Sequence, residues 1–159
     1  SGKAPTEVTA AYRDRLSNGA SNEPAFRVDG PYCLTQKDVR EVQLAKAAIA
    51  AGVDTLLNEA KIGSDEIERL VLTGGFGHHL DIDSAIRIGL LPAPARERFA
   101  PLSNAAGAGA VVSIRDRDAP DRADSLQRRI EYIELSGHAF FQERYIEQMI
   151  FPEIEIARV

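Results

Sequence analysis

The chain has 159 residues, a length typical of one globular domain with its own hydrophobic core. Hydrophobic residues make up 44% and charged residues 27%, and 24 acidic residues against 19 basic ones give a formal charge of -5. This balance argues against a nucleic-acid surface, which needs clustered lysine and arginine. No apolar run approaches the roughly 18 residues of a membrane span, and no signal-peptide pattern is present. We therefore expect neither nucleic acid nor a membrane as a partner, and we expect a cytoplasmic location.

Cys33 is the only cysteine of the chain. A disulfide framework and a cysteine-ligated cluster within this chain are therefore excluded. For Cys33 itself we expect a half-buried, unreactive thiol in a reducing compartment.

In chain order, the pattern first predicts a short helix over residues 6–16 and then a loop rich in serine, asparagine and glycine. The stretch FRVDGPYCLT, residues 26–35, predicts two short strands around a turn at Asp29-Gly30-Pro31. We expect residues 1–30 to be a weakly structured N-terminal extension or a short helix, and residues 31–159 to be the main domain.

The strongest helix signal begins at Thr35. Thr35 and Asp38 form a variant of the capping box. Apolar side chains such as Val42 and Ile49 then recur at helical spacing until about Ala60, and alanines fill the same side. The small residues predict close approach of another helix or a sheet.

Helices and strands alternate through the rest of the chain. The predicted elements are a capped turn followed by a buried strand at 69–72, a short helix in DSAIRIGLLP, a buried strand in RERFAPLS, a helix opened by Asn104, an exposed helix in PDRADSLQRRI, a strand at EYIEL (131–135) and an amphipathic helix ending at Pro152. This alternation predicts an α/β fold with a mixed, mostly parallel sheet flanked by helices.

The stretch VLTGGFGHHLD, residues 71–81, leads an apolar strand into a glycine turn. Glycine allows unusual backbone angles, and its missing Cβ lets a purine, ribose or phosphate lie against the main chain. Ligands of open α/β sheets bind at such strand ends. The known phosphate-binding motifs are absent, however, so this pattern alone leaves two interpretations open, a nucleotide contact and a tight packing corner.

His78, His79, Asp81 and Asp83 follow the glycines and are of the residue types that bind zinc or iron. Adjacent residues diverge in direction and no further ligand cluster is evident, so we predict no metal site. The simplest role for Asp81 or Asp83 is the N-cap of the next helix. No catalytic constellation stands out either.

Taken in order, YCLTQKDVREVQLAKAAIAAGVDTLL, LVLTGGFGHHLDIDSAIRIGLLP, LSNAAGAGAV and IEYIELSGHAFFQERYIEQMIFP resemble the C-terminal end of the reductive activators of corrinoid proteins. Those are iron–sulfur proteins with an ATPase domain of the sugar kinase, chaperone and actin superfamily. The resemblance covers residues 32–152 and implies one lobe of an actin-like, ribonuclease H-like ATPase fold.

The resemblance also implies a function for the longer protein. Members of the family carry a [2Fe–2S] domain at the N-terminus and use ATP to reduce inactive Co(II) corrinoid to Co(I) on a methyltransferase partner. The present chain would be a C-terminal fragment whose partners are the corrinoid protein and the remaining domains of its own polypeptide. We expect the cluster to lie in the missing N-terminal domain and the isolated fragment to lack ATPase activity.

The same resemblance implies a binding site for ATP or ADP with Mg²⁺, shared with the missing part of the protein. Gly74, Gly75 and Phe76, with Gly77 beside them, correspond to the turn that contacts adenosine. The helix that begins at Asn104 corresponds to the helix that connects the lobes. Thr35, Gln36 and Asp38 open a helix that flanks the nucleotide in similar proteins, and Gln36 is the predicted contact from that helix. Asn104, at the start of the connecting helix, is a further predicted contact.

Two other functions remain as alternatives. In the first, the lobe would be a docking module for the corrinoid protein, with an acidic surface and no nucleotide site of its own. In the second, the chain would be a relative of sugar or acetate kinases. A kinase would need a phosphate loop and a catalytic base, and neither can be identified in the sequence.

Overall fold

The computed structural model describes residues 12–18 and 23–153. The strands are β1 (Leu16–Asn18), β2 (Pro24–Asp29), β3 (Tyr32–Thr35), β4 (Leu70–Thr73) and β5 (Phe99–Leu102). The helices are α1 (Gln36–Ala60), α2 (Gly74–His79), α3 (Ile82–Arg87), α4 (Ala95–Arg98), α5 (Ala105–Arg115), α6 (Ala119–Gln127) and α7 (Ala139–Gln148). Two 3₁₀ turns lie at Arg13–Arg15 and Ser64–Glu66. None of the described helices is long and apolar enough to cross a membrane.

The chain divides into two compact units, Ser1–Ala45 and Lys46–Val159, with the boundary inside α1. The first unit contains an antiparallel sheet in the order β1-β2-β3. The predicted hairpin is confirmed, and Gly30 takes the left-handed backbone of its turn at φ 48°. Residues 6–11 of the first predicted helix lie outside the described residues, and the prediction is wrong at Leu16, which pairs with Phe26 as a strand.

The faces of this first sheet are largely uncovered. Among the described residues of β2 only Ala25 is buried, and the side chains of Tyr32, Cys33 and Leu34 in β3 are exposed. The expectation of a half-buried Cys33 is therefore wrong, because no element of the described part of this unit covers β3 at that position.

The start of α1 follows the sequence signal. The backbone N–H of Asp38 donates to Thr35 Oγ1 at 3.1 Å, and the N–H of Thr35 donates back to Asp38 Oδ2 at 2.8 Å. This reciprocal pair satisfies donors that the first helical turn leaves free, and the hydrogen bonds from Thr35 lower the pKa of Asp38. The capping box is confirmed.

Apart from Lys46, the buried residues of α1 are small. Ala47, Ala50 and Ala51 are buried, whereas Val42 and Ile49 are 42% and 47% exposed. The alanines are buried, but the close approach of another helix or a sheet stays a prediction, and the larger apolar residues do not share their burial. The alanine side permits close approach: a Cβ built on the neighbouring Gly52 would lie 3.8 Å from Leu135 Cδ1.

Lys46, in α1, is 1% exposed. Its Nζ donates to the carbonyl of Ile150 at 2.8 Å and lies 5.6 Å from the centre of the Phe151 ring. Burial lowers the pKa of Lys46, because a low dielectric disfavours the charged ammonium. This lysine fastens the segment after α7 to α1.

The parallel pair β4–β5 organises the second unit. Leu70 pairs with Phe99 and Thr73 with Leu102. Leu70 and Leu72 pack against a core of Ala85, Leu90 and Leu91, while Val71 and Thr73 are exposed. The predicted strand is thus present, but it is covered on one face only. Helix α3 and the turn that follows it pack against that face of β4.

The end of the chain departs from prediction in two places. Residues 131–135, predicted as a strand, have no regular secondary structure. Helix α7 ends at Gln148 and does not reach Pro152. It is joined to α1 by Asp54 Oδ2, which accepts hydrogen bonds from Arg144 Nε at 2.9 Å and from Gln148 Nε2 at 3.1 Å.

Candidate functional site at the ends of two parallel strands

A cleft lies where β4 and β5 end. Because the two strands are parallel and Thr73 pairs with Leu102, the residues that follow each strand meet at the same edge of the sheet. They enclose a cavity of ≈ 270 Å³, lined by Gly74, Gly75, His79, Ser103 and Asn104. Strand carboxyl ends are where open α/β sheets bind their ligands.

The two glycines differ in what they contribute. Gly74 has a positive φ of 83°, a conformation that residues with a Cβ adopt only at a cost. Gly75 has no such constraint. A Cβ at either position would meet no atom within 4 Å. Gly74 is therefore needed for the turn, and Gly75 keeps open a space that the fold itself does not fill.

Asn104 forms the opposite rim of the cleft. Its backbone is left-handed, with φ 44° and ψ 58°, a conformation that asparagine tolerates better than most residues. Its Oδ1 accepts a hydrogen bond from the N–H of Gly107 at 3.0 Å, which confirms the predicted N-cap of α5. A Cβ on residue 107 would collide with the Asn104 amide, so any other residue there must displace that amide from its capping position.

Thr73 connects the two rims. The N–H of Ala105, at the start of α5, donates to Thr73 Oγ1 at 3.2 Å. The last residue of β4 thereby holds the first turn of the helix that follows β5. The hydroxyl satisfies one of the donors that a helix N-terminus leaves free, and it fixes the separation of the glycine turn from Asn104.

Substitution of Thr73 by valine is expected to release this connection. The hydrogen bond is worth roughly 0.5–1.5 kcal/mol, so the amide of Ala105 should exchange several-fold faster with solvent, whereas Thr73→Ser should keep the wild-type rate. Hydrogen exchange followed by NMR measures both variants. An unchanged rate in Thr73→Val would show that the hydroxyl does not hold α5.

The cleft contains some of the predicted contact residues and adds others. Gly74, Gly75 and Asn104 come together although about 30 residues of sequence separate the glycines from Asn104. Phe76 and Gly77 are part of helix α2. Gln36 is the exposed first residue of α1, and its predicted contact remains a prediction. His79 and Ser103 were missed.

Each of the missed residues carried a signal. Ser103 directly follows the second predicted strand, so parallel pairing of the two strands would have placed it at the same edge. His79 was considered only as a metal ligand, and helical spacing from Gly75 brings it back towards the cleft.

The acidic residues after α2 have local structural roles. Asp81 Oδ1 accepts the N–H of Ser84 at 2.8 Å and caps α3, which confirms the N-cap prediction. The hydrogen bonds from Ser84 lower the pKa of Asp81. Asp83 forms an ion pair with Arg96 at 2.7 Å. In the part of the chain that the structure describes, no group of three or more histidine, cysteine, aspartate or glutamate side chains is placed to hold a metal ion.

A larger cavity, of ≈ 400 Å³, lies between α1 and α7. Asp54, Glu143 and Glu147 line it together with one cation, Arg144. Arg144 is bound to Asp54 and Glu147, and the hydrogen bond to Asp54 is the main cause of its raised pKa. Three carboxylates against one engaged guanidinium repel a phosphate ligand, so the strand-end cleft is the better candidate for a nucleotide.

Comparison with known proteins identifies the family of this chain and two relatives. Residues 15–159 match the family described as the C-terminal domain of RACo, the ASKHA domain. Corrinoid activation enzyme RamQ of Eubacterium limosum is 36% identical over 120 residues, which is 76% of this chain and 20% of that protein. A solved structure titled reductive activator for corrinoid, iron-sulfur protein superposes with a TM-score of 0.76 at 29% identity, over 91% of this chain and 24% of that one.

The chain thus spans about a fifth to a quarter of the length of these relatives. The predicted α/β, actin-like fold class is confirmed by the family and by the structural neighbour, with the parallel pairing at β4–β5 and an antiparallel sheet in the first unit. The chain belongs to the family of C-terminal ASKHA domains of the reductive activators of corrinoid proteins.

Proposed function

We propose that this chain is the C-terminal ATPase lobe of a longer iron–sulfur protein that uses ATP to reactivate a corrinoid protein by reduction. We further propose that the cleft at the ends of β4 and β5 holds the adenosine part of the nucleotide. The observation that carries this proposal is the free space beside Gly74 and Gly75 at the carboxyl ends of two parallel strands.

The chemistry of the cleft suits a nucleoside better than a phosphate. No lysine or arginine is among the described residues that line it. The glycines let a flat ring approach the main chain. Asn104 uses Oδ1 for its cap, and no described residue accepts a hydrogen bond from its Nδ2, so this amide and the Ser103 hydroxyl supply groups for the polar edge of a purine or ribose.

The remaining parts of the reaction belong to other regions of the longer protein. A [2Fe–2S] cluster requires four ligands, and this chain has one cysteine, Cys33. The phosphates and Mg²⁺ require charged groups such as lysine, arginine and carboxylates, and the described residues that line the cleft include none of these. The contribution of this lobe would be to close on ATP and thereby favour the complex in which Co(II) accepts an electron and becomes Co(I).

A direct test uses the full-length protein and 8-azido-ATP with Mg²⁺. Irradiation is expected to label peptides that contain the glycine turn or residues 103–107, and excess ATP should prevent the labelling. Labelling confined to other peptides would contradict the placement of adenosine in this cleft. Calorimetry with Mg-ATP and Mg-ADP supplies the affinity, and absence of heat with either nucleotide would contradict the ATPase assignment.

The coupling requires a separate measurement. A ligand shifts a conformational equilibrium only by its different affinities for the two states. The affinity of the full-length protein for the corrinoid protein should therefore differ between ATP, ADP and no nucleotide. Equal affinities in all three conditions would leave the lobe as a docking module whose binding is independent of ATP.

A further inference from the structure

Residues 131–135 have a strand-forming sequence, and their backbone N–H groups have no backbone partner among the described residues. They read Glu-Tyr-Ile-Glu-Leu. Before the segment, the N–H of Ile130 donates to the carbonyl of Gln127, and at its end the carbonyl of Leu135 accepts the N–H of His138. Within the described chain, none of the five N–H groups of residues 131–135 donates to a backbone carbonyl.

The side chains of this segment alternate as in a strand. Ile133 and Leu135 are half-buried, and Leu135 Cδ1 lies against Gly52 of α1. Tyr132 and Glu134 are exposed, and the Tyr132 hydroxyl donates to Glu134 Oε2 at 2.5 Å. Contact between residues two apart places both on one face, which is the period of an extended chain. The side chains therefore alternate as they do in a strand, and among the described residues no strand pairs with the segment.

We propose that residues 131–135 are an edge strand, paired through main-chain hydrogen bonds with a strand from the part of the polypeptide that precedes this domain. The relatives are about four to five times longer than the matched region, so the full-length protein has ample chain to supply it. The inference rests on the proposal that this chain is part of a longer protein, and nucleotide binding does not enter it.

A permanently attached partner fits the exposed side chains better than a transient one. Tyr132 is 83% exposed and Ile130 72%. An open edge that carries large apolar side chains invites aggregation, and proteins usually cover such edges. A strand of the same polypeptide covers it at all times and does so at high effective concentration. A corrinoid protein that binds and leaves would expose it in every cycle.

The segment also constrains its partner. Like charges placed directly opposite each other destabilise a pair of strands. The position opposite Glu131 should therefore be basic or neutral, and an apolar side chain should lie opposite Tyr132. Glu134 is already engaged, because the Ser136 hydroxyl and N–H donate to its other oxygen at 2.6 and 3.1 Å.

Hydrogen exchange of the full-length protein tests this pairing. Alternate amides of residues 131–135, those that point towards the partner strand, should exchange on the order of 100-fold more slowly than in the denatured protein, at every protein concentration and without the corrinoid protein. Exchange at the denatured rate overturns the proposal. Protection that disappears on dilution assigns the partner strand to a second copy, and protection that needs the corrinoid protein assigns it to that partner. Both of these results also overturn it.

Proline substitutions give a matched second test. Neighbouring N–H groups of a strand point to opposite edges, so only one of Tyr132 and Ile133 donates to the partner. Proline should lower the melting temperature of the full-length protein more than alanine does at that position. Equal effects of proline and alanine at both positions overturn the pairing. Photolabelling of the cleft is a separate readout, so failure of this proposal is distinguishable from failure of the ATPase assignment.

Discussion

Substitution of Gly75 by alanine is expected to weaken nucleotide binding by the full-length protein about tenfold and to leave the domain at least as stable as the wild type. The added methyl group meets no protein atom within 4 Å. It would instead occupy space that we assign to adenosine, and a misplaced methyl group in a packed contact costs roughly 1–3 kcal/mol, of which 1.4 corresponds to a factor of ten in affinity.

The stability of the Gly75→Ala variant should rise while its affinity for the nucleotide falls. Gly75 lies in α2 with no positive φ, and alanine in a helix is favoured over glycine by up to about 1 kcal/mol. A variant that melts slightly higher and binds ATP less well cannot be explained by partial unfolding. Calorimetry and thermal unfolding on the same preparation measure both quantities.

Two other glycines serve as controls. Gly74→Ala should lose stability as well as affinity, because φ 83° strains any residue with a Cβ by about 1–2 kcal/mol. Gly137→Ala adds a methyl group to an open position outside the cleft and should bind nucleotide as the wild type does. Wild-type affinity in Gly75→Ala would remove the glycine turn from the nucleotide site.

Substitution of Lys46 by alanine is expected to destabilise the second unit by about 2–4 kcal/mol, the range for truncation of a long buried side chain. The loss includes the aliphatic stem and the hydrogen bond to Ile150, which fastens the segment after α7 to α1. Lys46→Met keeps most of the volume and removes the charge, so it should lie within about 1.5 kcal/mol of the wild type at neutral pH. Urea denaturation measures both variants.

Comparison with Lys46→Met also isolates the effect of the buried lysine charge on stability. Burial lowers the pKa of folded Lys46 below its ordinary value of 10.5. Below the folded pKa both states carry the proton, and the full penalty for burying the charge is present. Between the folded pKa and 10.5 the unfolded chain binds more protons, so wild-type stability should rise with pH relative to Lys46→Met. A difference between the two proteins that stays constant up to pH 10.5 would show that the ammonium bears no burial penalty.

Local signals were sufficient for the helix starts. At three helix starts a side chain accepts a hydrogen bond from the backbone N–H three residues later, at Thr35, Asp81 and Asn104. Such contacts depend on few other parts of the fold. The glycine turn was also evident from its neighbours in sequence. What could not be read locally was its proximity to Asn104, because that depends on which strands pair and in which register.

The predictions that were wrong also depend on contacts between residues far apart in the sequence. Period and composition identified residues 131–135 as strand-forming, but a strand requires a neighbour that the described chain does not provide. The burial of Lys46 could not be predicted from the sequence pattern, because charged residues are rarely buried without a charged partner. In the structure, a carbonyl and an aromatic ring contact its ammonium instead. For Val42 and Ile49, spacing alone could not show which side of α1 faces the core.

The cap at the start of α5 has a consequence for how this family diversifies. With the amide of Asn104 in its capping position, a Cβ at position 107 would collide with it, so a single substitution of Gly107 must displace the amide and weaken the cap. If glycine replaces Asn104, the left-handed backbone is retained and the collision disappears. Each residue thus limits the other, and we expect substitutions at positions 104 and 107 to occur together more often than separately across related sequences.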